Sequence, residues 1–171
     1  SGNRWTNTHA QIDICKVDES FMKLILFLLV FLFSLGLWEM GRHVLHRRQI
    51  PLRVHINGSR GKSSVARLIA AGLRAGSLRV VGKTTGSAAA VIHPDGTETL
   101  VKRRGGPNIK EQLAVMRGAA REKCDALVIE CMAVRPDLQW TCEHAIVKAT
   151  HGVITNVRPD HLEVMGPTMD D

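Results

Sequence analysis

The sequence predicts an α/β domain: a mostly parallel sheet with helices on both faces, built around a phosphate-binding loop and preceded by one N-terminal transmembrane helix. Three observations carry this expectation. From Ile50 onward, short apolar runs of strand length alternate with stretches whose apolar residues recur at helical spacing. The first such run, Leu52 to Ile56, leads directly into Asn57-Gly58-Ser59-Arg60-Gly61-Lys62-Ser63-Ser64. Ahead of both lies Leu24 to Phe33, ten consecutive apolar residues within a segment, Phe21 to Trp38, whose only charge is Lys23.

The bulk composition agrees with one domain. A chain of 171 residues, 44% hydrophobic, is long enough to bury a core of its own. With 23 Lys+Arg against 16 Asp+Glu the net charge is +7, which suits phosphate-rich ligands, anionic lipid or nucleic acid without choosing among them. Aromatic residues make up 4% and Tyr is absent, so a base-stacking surface is poorly supplied and nucleic acid is not an expected partner. Cys15, Cys124, Cys131 and Cys142 show no C-x-x-C spacing and read as reduced core thiols of a cytosolic domain.

Taken in order, residues 1–20 are polar and aperiodic, and are expected to form a disordered arm. Residues 21–40 are expected to be a membrane anchor. The 18 residues from Phe21 to Trp38 reach roughly 27 Å as a helix, the short end of a bilayer span. A core helix apolar on every face does not suit so small a domain, and Ser34-Leu35-Gly36 is a weak signal-peptide cleavage site. Residues 41–50 form a basic juxtamembrane linker with Arg42, His43, His46, Arg47 and Arg48, which by the positive-inside rule places the following domain in the cytoplasm.

Residues 51–171 carry the phosphate-binding domain. Leu52–Ile56 reads as the first strand. The helix after the loop has Val65, Leu68, Ile69, Gly72 and Leu73 along one face and ends near Gly76. Leu78–Val81 reads as a second strand. Ala89–Ile92 and Thr97–Val101 flank Pro94-Asp95-Gly96 and read as a hairpin, because Pro-Asp-Gly favours a tight turn. Lys102 to Pro107 is a basic glycine-rich loop, most simply solvated, with capture of an anionic substrate as the other reading. Asn108 can cap a helix with Ile109, Leu113, Met116 and Ala120 on one side. Ala126–Ile129 reads as a buried strand, Asp137 to about Ala149 as a helix, and Gly152–Thr155 as a further buried strand.

The polar residues that suit phosphate chemistry fall at strand ends: the glycine-rich loop, Lys83-Thr84-Thr85-Gly86, Glu130, and Asn156 with Asp160-His161. Ligands of open parallel sheets bind beyond the carboxyl ends of the strands. Gly58 and Gly61 allow close approach of backbone to phosphate, Lys62 supplies a point charge for β/γ-phosphates, and the Ser63 hydroxyl suits Mg²⁺. Glu130 offers a hard oxygen for the same ion, although a glutamate at a strand end can equally be an ion-pair partner. His161 read alone is more simply a structural histidine. Cys131 would need a partner base that the sequence does not identify. The usual P-loop has a glycine where Ile56 stands; here the loop is the shorter Gly-x-x-Gly-Lys-Ser.

Val54-His-Ile-Asn-Gly-Ser-Arg-Gly-Lys-Ser-Ser64, Val81-Gly-Lys-Thr-Thr-Gly86, Gly106-Pro-Asn108, Glu130-Cys-Met-Ala-Val134, Asn156-Val-Arg-Pro-Asp-His161 and Val164-Met-Gly-Pro-Thr168 together closely resemble the ligase subunits of poly-γ-glutamate synthases, the CapB/PgsB type. That type belongs to the Mur-ligase-like amide ligases, which share the short loop. The resemblance implies a Mur-ligase central-domain fold, incomplete here, because the family continues with further strands and an adenine-contacting region. It implies ATP and Mg²⁺, with glutamate and a growing poly-γ-glutamate chain as substrates and membrane subunits of a polymer synthase complex as partners in a bacterial cell membrane. It also implies roles: Asn57 to Ser64 around the phosphates, Ser63 and Glu130 on Mg²⁺, and His161 on a second metal. Lys62, Glu130 and His161 would be the catalytic groups, with Thr84 and Thr85 near the γ-phosphate or the substrate carboxylate. Two other readings are a membrane-attached P-loop kinase or transport-type ATPase, and a non-catalytic nucleotide-binding module.

Overall fold

The computed structural model describes residues 19–86, 88–103, 105, 108–160 and 164. The chain divides into two compact units, with the boundary between Glu39 and Met40. The helix α1 (Glu19–Arg48) begins in the first and ends in the second. It has no buried residue, and every large apolar side chain from Phe21 to Trp38 is exposed. It is the one helix among the described residues long and apolar enough to cross a membrane. Helix continues through Arg48, so most of the basic stretch expected as a linker is helical, and Glu19 and Ser20 of the expected arm already belong to α1. The rest of that arm lies outside the described residues.

Met40 onward holds the domain. Its elements are β1 (Leu52–Asn57), α2 (Lys62–Ala75), β2 (Val80–Lys83), β3 (Ala90–Ile92), β4 (Glu98–Leu100), α3 (Lys110–Arg121), β5 (Ala126–Glu130), α4 (Pro136–Thr141) with a π-helical continuation (Cys142–Val147), and β6 (His151–Ile154). The six strands form one sheet in the order β4-β3-β2-β5-β1-β6. β2, β5, β1 and β6 pair in parallel, with Val54 opposite Val128 and Ile56 opposite both Glu130 and Val153. β3 and β4 add the antiparallel hairpin at one edge.

Strand alternation divides the core between the two sheet faces. Val54, Ile56, Val80, Ala126 and Val128 point one way and pack with Ala66 and Ala70 of α2. Val81, Leu127 and Ile129 point the other way and pack with Met116, Ala119 and Ala120 of α3 and with Ile146 and Val147 of the π-helix. The expected fold is therefore the observed one. Details differ. Small alanines rather than Leu68 form the centre of the α2 contact, since a helix lying close on the sheet leaves little room there, and Leu68 is 71% exposed. β2 begins two residues later than expected and includes Lys83.

The final helix also differs from expectation. After Thr141 it widens to π geometry, with Lys148 N–H donating to Glu143 O at 2.7 Å. Glu143 closes the turn a second way, accepting the Ala149 N–H on its side chain at 2.8 Å.

Candidate functional site

The site starts with the chain turning off β1. Asn57 Oδ1 accepts the Gly58 N–H at 2.9 Å, and its amide donates to Gln139 Oε1 at 2.7 Å, tying the loop to α4. Gly58 then adopts φ +125°. A Cβ there would stand 2.3 Å from Thr155 Oγ1 and 2.8 Å from Asn156 O, so the position excludes a side chain because the segment after β6 presses against it. Gly61 is required for a different reason. Its φ of +82° turns the chain into α2, and nothing lies within 4 Å of a Cβ built there. The loop is strapped from one side: Ser59 N–H donates to Asn156 O at 3.0 Å, Arg60 N–H to Asn156 Oδ1 at 3.1 Å, and Thr155 Oγ1 to Arg60 O at 2.8 Å. Such bonds hold the loop in shape at the α2 N-terminus, where unpaired N–H groups and the helix dipole favour an anion.

Lys62 folds back over the loop, donating to Gly58 O at 2.5 Å and Ser59 O at 3.3 Å. Ser63, one residue on, reaches across to the end of β5 and donates to Glu130 Oε2 at 2.7 Å. The buried Glu130 carboxylate also accepts the Thr85 N–H at 2.7 Å. Three chain segments, from β1, β2 and β5, thus meet at one carboxylate. They border a cavity of about 490 Å³ lined by Asn57, Gly58, Ser59, Lys62, Thr85, Gly86, Arg103, Glu130, Gln139, Asn156 and Asp160 together with apolar residues from Met132 to Val134.

Hard oxygens from Ser63 and Glu130, a lysine and a glycine loop at a helix N-terminus fit a nucleotide phosphate with Mg²⁺, an ion that needs few protein ligands because it retains waters. No group of three or more His, Cys, Asp and Glu converges as a metal site among the described residues. A Ser–Glu pair with phosphate oxygens does not require one.

Other expected residues divide. Ser64 is exposed, and Arg60 is exposed and paired with Asp160, Nε to Oδ2, at 3.1 Å. Thr84 is fully buried and committed to the hairpin: its N–H donates to Ala90 O at 2.9 Å, and its Oγ1 accepts the Ala90 N–H at 3.3 Å. It therefore supports the turn, whereas Thr85 borders the cavity. His161 lies outside the described residues.

Two clusters flank Glu130. On the β2 side, Arg103 holds Glu111 through paired bonds, Nε to Oε1 at 2.7 Å and Nη2 to Oε2 at 3.1 Å. The fully buried Lys83 stands 3.4 Å from the same Oε2. Burial pushes the Lys83 pKa down against the pull of Glu111. Burial works to raise that of Glu111, but Arg103 and Lys83 outweigh it and hold the carboxyl below its ordinary value.

On the other side, His55 Nδ1 lies 2.8 Å from Glu143 Oε2. Burial opposes charge on His55, yet Cys131 and Glu143 together raise its pKa. The Cys142 thiol and His55 draw the Cys131 pKa down against its burial. Sequence alone identified no group acting on Cys131; the fold places His55 of β1 among those that lower its pKa, with His55 Nδ1 held by Glu143 of the π-helix. Cys124, Cys131 and Cys142 are buried free thiols, as expected.

Comparison with known proteins follows the same lines. Residues 56–171 match the Mur ligase middle domain. A Bacillus anthracis protein named capsule biosynthesis protein CapB is 45% identical over 144 residues, covering 83% of this chain and 31% of that protein. A Bacillus subtilis (strain 168) protein named PGA synthase CapB is 45% identical over 139 residues, 80% of this chain and 35% of that one. The chain thus spans about a third of the length of these relatives.

Proposed function

The chain belongs to the Mur ligase family through its middle domain, and from that premise we propose that it is the nucleotide-binding part of an ATP-dependent amide ligase of poly-γ-glutamate capsule synthesis. The observation that carries the reading is the meeting of Ser63, Thr85 and Glu130 beside the Lys62 loop. In this reading a carboxylate oxygen of the glutamyl acyl donor attacks the γ-phosphorus of ATP and ADP leaves. The amine of the incoming glutamate then attacks the acyl carbon, phosphate leaves, and a γ-amide remains.

Two like-charged groups must approach in the first step, so the task of the protein is positioning and charge neutralisation. Lys62 supplies a positive charge beside the loop. The N–H groups at the start of α2 would face the phosphates, and the apolar residues from Met132 to Val134 that line the cavity would limit water around the reacting groups. Ser63 and Glu130 would hold Mg²⁺, which offsets phosphate charge when bound. Thr85 keeps the Glu130 carboxylate oriented through its N–H. On the family resemblance His161 would serve a second metal.

We place the domain on the cytoplasmic side of a bacterial membrane with α1 as a single-pass anchor, in a complex with membrane subunits of the polymer synthase. Its support is the apolar segment of α1, whose large side chains from Phe21 to Trp38 are all exposed, and the basic residues that follow it. The test is ATP turnover by the full-length protein with its membrane partners, with and without glutamate. Glutamate-dependent ADP release with formation of γ-amide is expected. Turnover indifferent to glutamate and without amide would instead favour the kinase or ATPase reading.

A further inference from the structure

We propose that Arg103 is the docking point for a carboxylate of the acidic acyl chain, on the opposite side of Glu130 from the phosphate loop. The inference rests on the ligase reading and adds a substrate contact to it. Its first support is charge. Arg103, Glu111 and the fully buried Lys83 form a cluster in which one carboxylate is shared by two cations. Lys83 Nζ has no hydrogen-bond partner among the described residues; it stands 3.4 Å from Glu111, and the Glu130 carboxylate is a further anion in its field. Because Glu111 is shared with Lys83, the partly exposed Arg103 can take a further anion on its free edge.

Geometry supplies the second support. Glu111 occupies Nε and Nη2 of Arg103, which fixes the plane of the guanidinium at the cavity wall. Its Nη1 makes no hydrogen bond to the described residues. A fixed, planar donor suits a carboxylate, and the pair behind it resists rotation of the side chain.

Sheet order gives the third. The phosphate loop leaves β1, Glu130 ends β5, Lys83 ends β2, and these strands lie side by side as β2-β5-β1. A chain held at Arg103 would therefore approach Glu130 from the flank opposite the nucleotide phosphates. An in-line transfer between a carboxylate and a phosphate needs that arrangement.

The experiment uses the full-length protein with its membrane partners and compares wild type with Arg103→Met and Arg103→Lys. Thermal unfolding verifies that each variant is folded, and R103K serves if R103M is not. KM is measured separately for a γ-linked glutamate oligomer and for ATP. Binding of a fluorescent γ-glutamate oligomer is measured in the absence of nucleotide. R103M is expected to raise the oligomer KM and weaken oligomer binding by about tenfold or more, with ATP KM unchanged and R103K intermediate. Unchanged oligomer binding would overturn the proposal, as would a rise confined to the ATP KM, which would make Arg103 a phosphate contact. If wild type proves indifferent to glutamate in turnover, the ligase reading fails separately, and the nucleotide-free binding comparison still decides whether Arg103 takes carboxylates.

Discussion

Ser63 Oγ donates a 2.7 Å hydrogen bond to Glu130 Oε2, joining the first turn of α2 to the last residue of β5. Both groups belong to elements whose apolar faces are packed in the core, so their separation is set by the sheet rather than by the loop. A site held this way changes little when a cation arrives, and it fails when either oxygen is removed. Glu130→Gln keeps the shape and can still accept the Thr85 N–H, but it loses the charge. Mg²⁺-dependent ATP turnover should fall about 100-fold or more, with stability changing by only about 1 kcal/mol. Steady-state kinetics with a matched urea titration checks both halves.

The two loop glycines should respond differently to alanine. In Gly58→Ala the added carbon would meet Thr155 and Asn156 at a φ of +125°, so both strain and overlap oppose it. A loss of about 2 to 4 kcal/mol is expected. Gly61→Ala meets no atom and bears only the left-handed backbone cost, about 1 to 2 kcal/mol. Urea unfolding followed by circular dichroism distinguishes the two, and equal losses would contradict the packing account.

Glu111 provides a pH dependence. Its folded pKa lies below the ordinary value of 4.5, so its contribution to stability is fully present above that pH. It is lost as pH falls through the depressed value. Glu111→Gln should therefore flatten the acid limb of the stability profile. At neutral pH it should cost about 3 kcal/mol, because the buried Lys83 loses its nearest anion. Denaturant midpoints measured from pH 3 to pH 7 give the comparison, roughly the span over which one carboxyl titrates.

Much of this was legible in the chain itself. Alternation of strand and helix patterns predicted the parallel sheet, and four strand ends rich in polar residues predicted the edge where the cavity lies. Periodicity locates apolar residues, however, and is blind to what a polar residue does once the strands are in register. Thr84 and Thr85 are adjacent and chemically identical, yet the pairing of β2 with β3 buries one in the hairpin and leaves the other at Glu130. Gln139 and the His55–Glu143 pair carried no local signal, because their partners lie more than eighty residues away in sequence. The π-helical turn was likewise invisible, since it depends on Glu143 bonding to Lys148 and Ala149 rather than on any apolar spacing.

Helix α1 makes a cellular prediction. All its large apolar side chains from Phe21 to Trp38 are exposed, so in water it would carry a large hydrophobic cost. The full-length protein should remain with membranes after an alkaline carbonate wash, and deletion of residues 21–40 should release it to the supernatant. Release of the intact protein by carbonate would remove the anchor.

The central claim is that a glutamyl carboxylate is activated by phosphoryl transfer beside Glu130. Oxygen transfer tests it most directly. With the carboxylate of the acyl donor labelled with ¹⁸O, and the full-length protein supplied with its membrane partners, ATP and glutamate, the released phosphate is analysed by mass spectrometry. The account predicts that each amide formed leaves one ¹⁸O atom in phosphate, carried there by the attacking oxygen. Amide formation with unlabelled phosphate would contradict it.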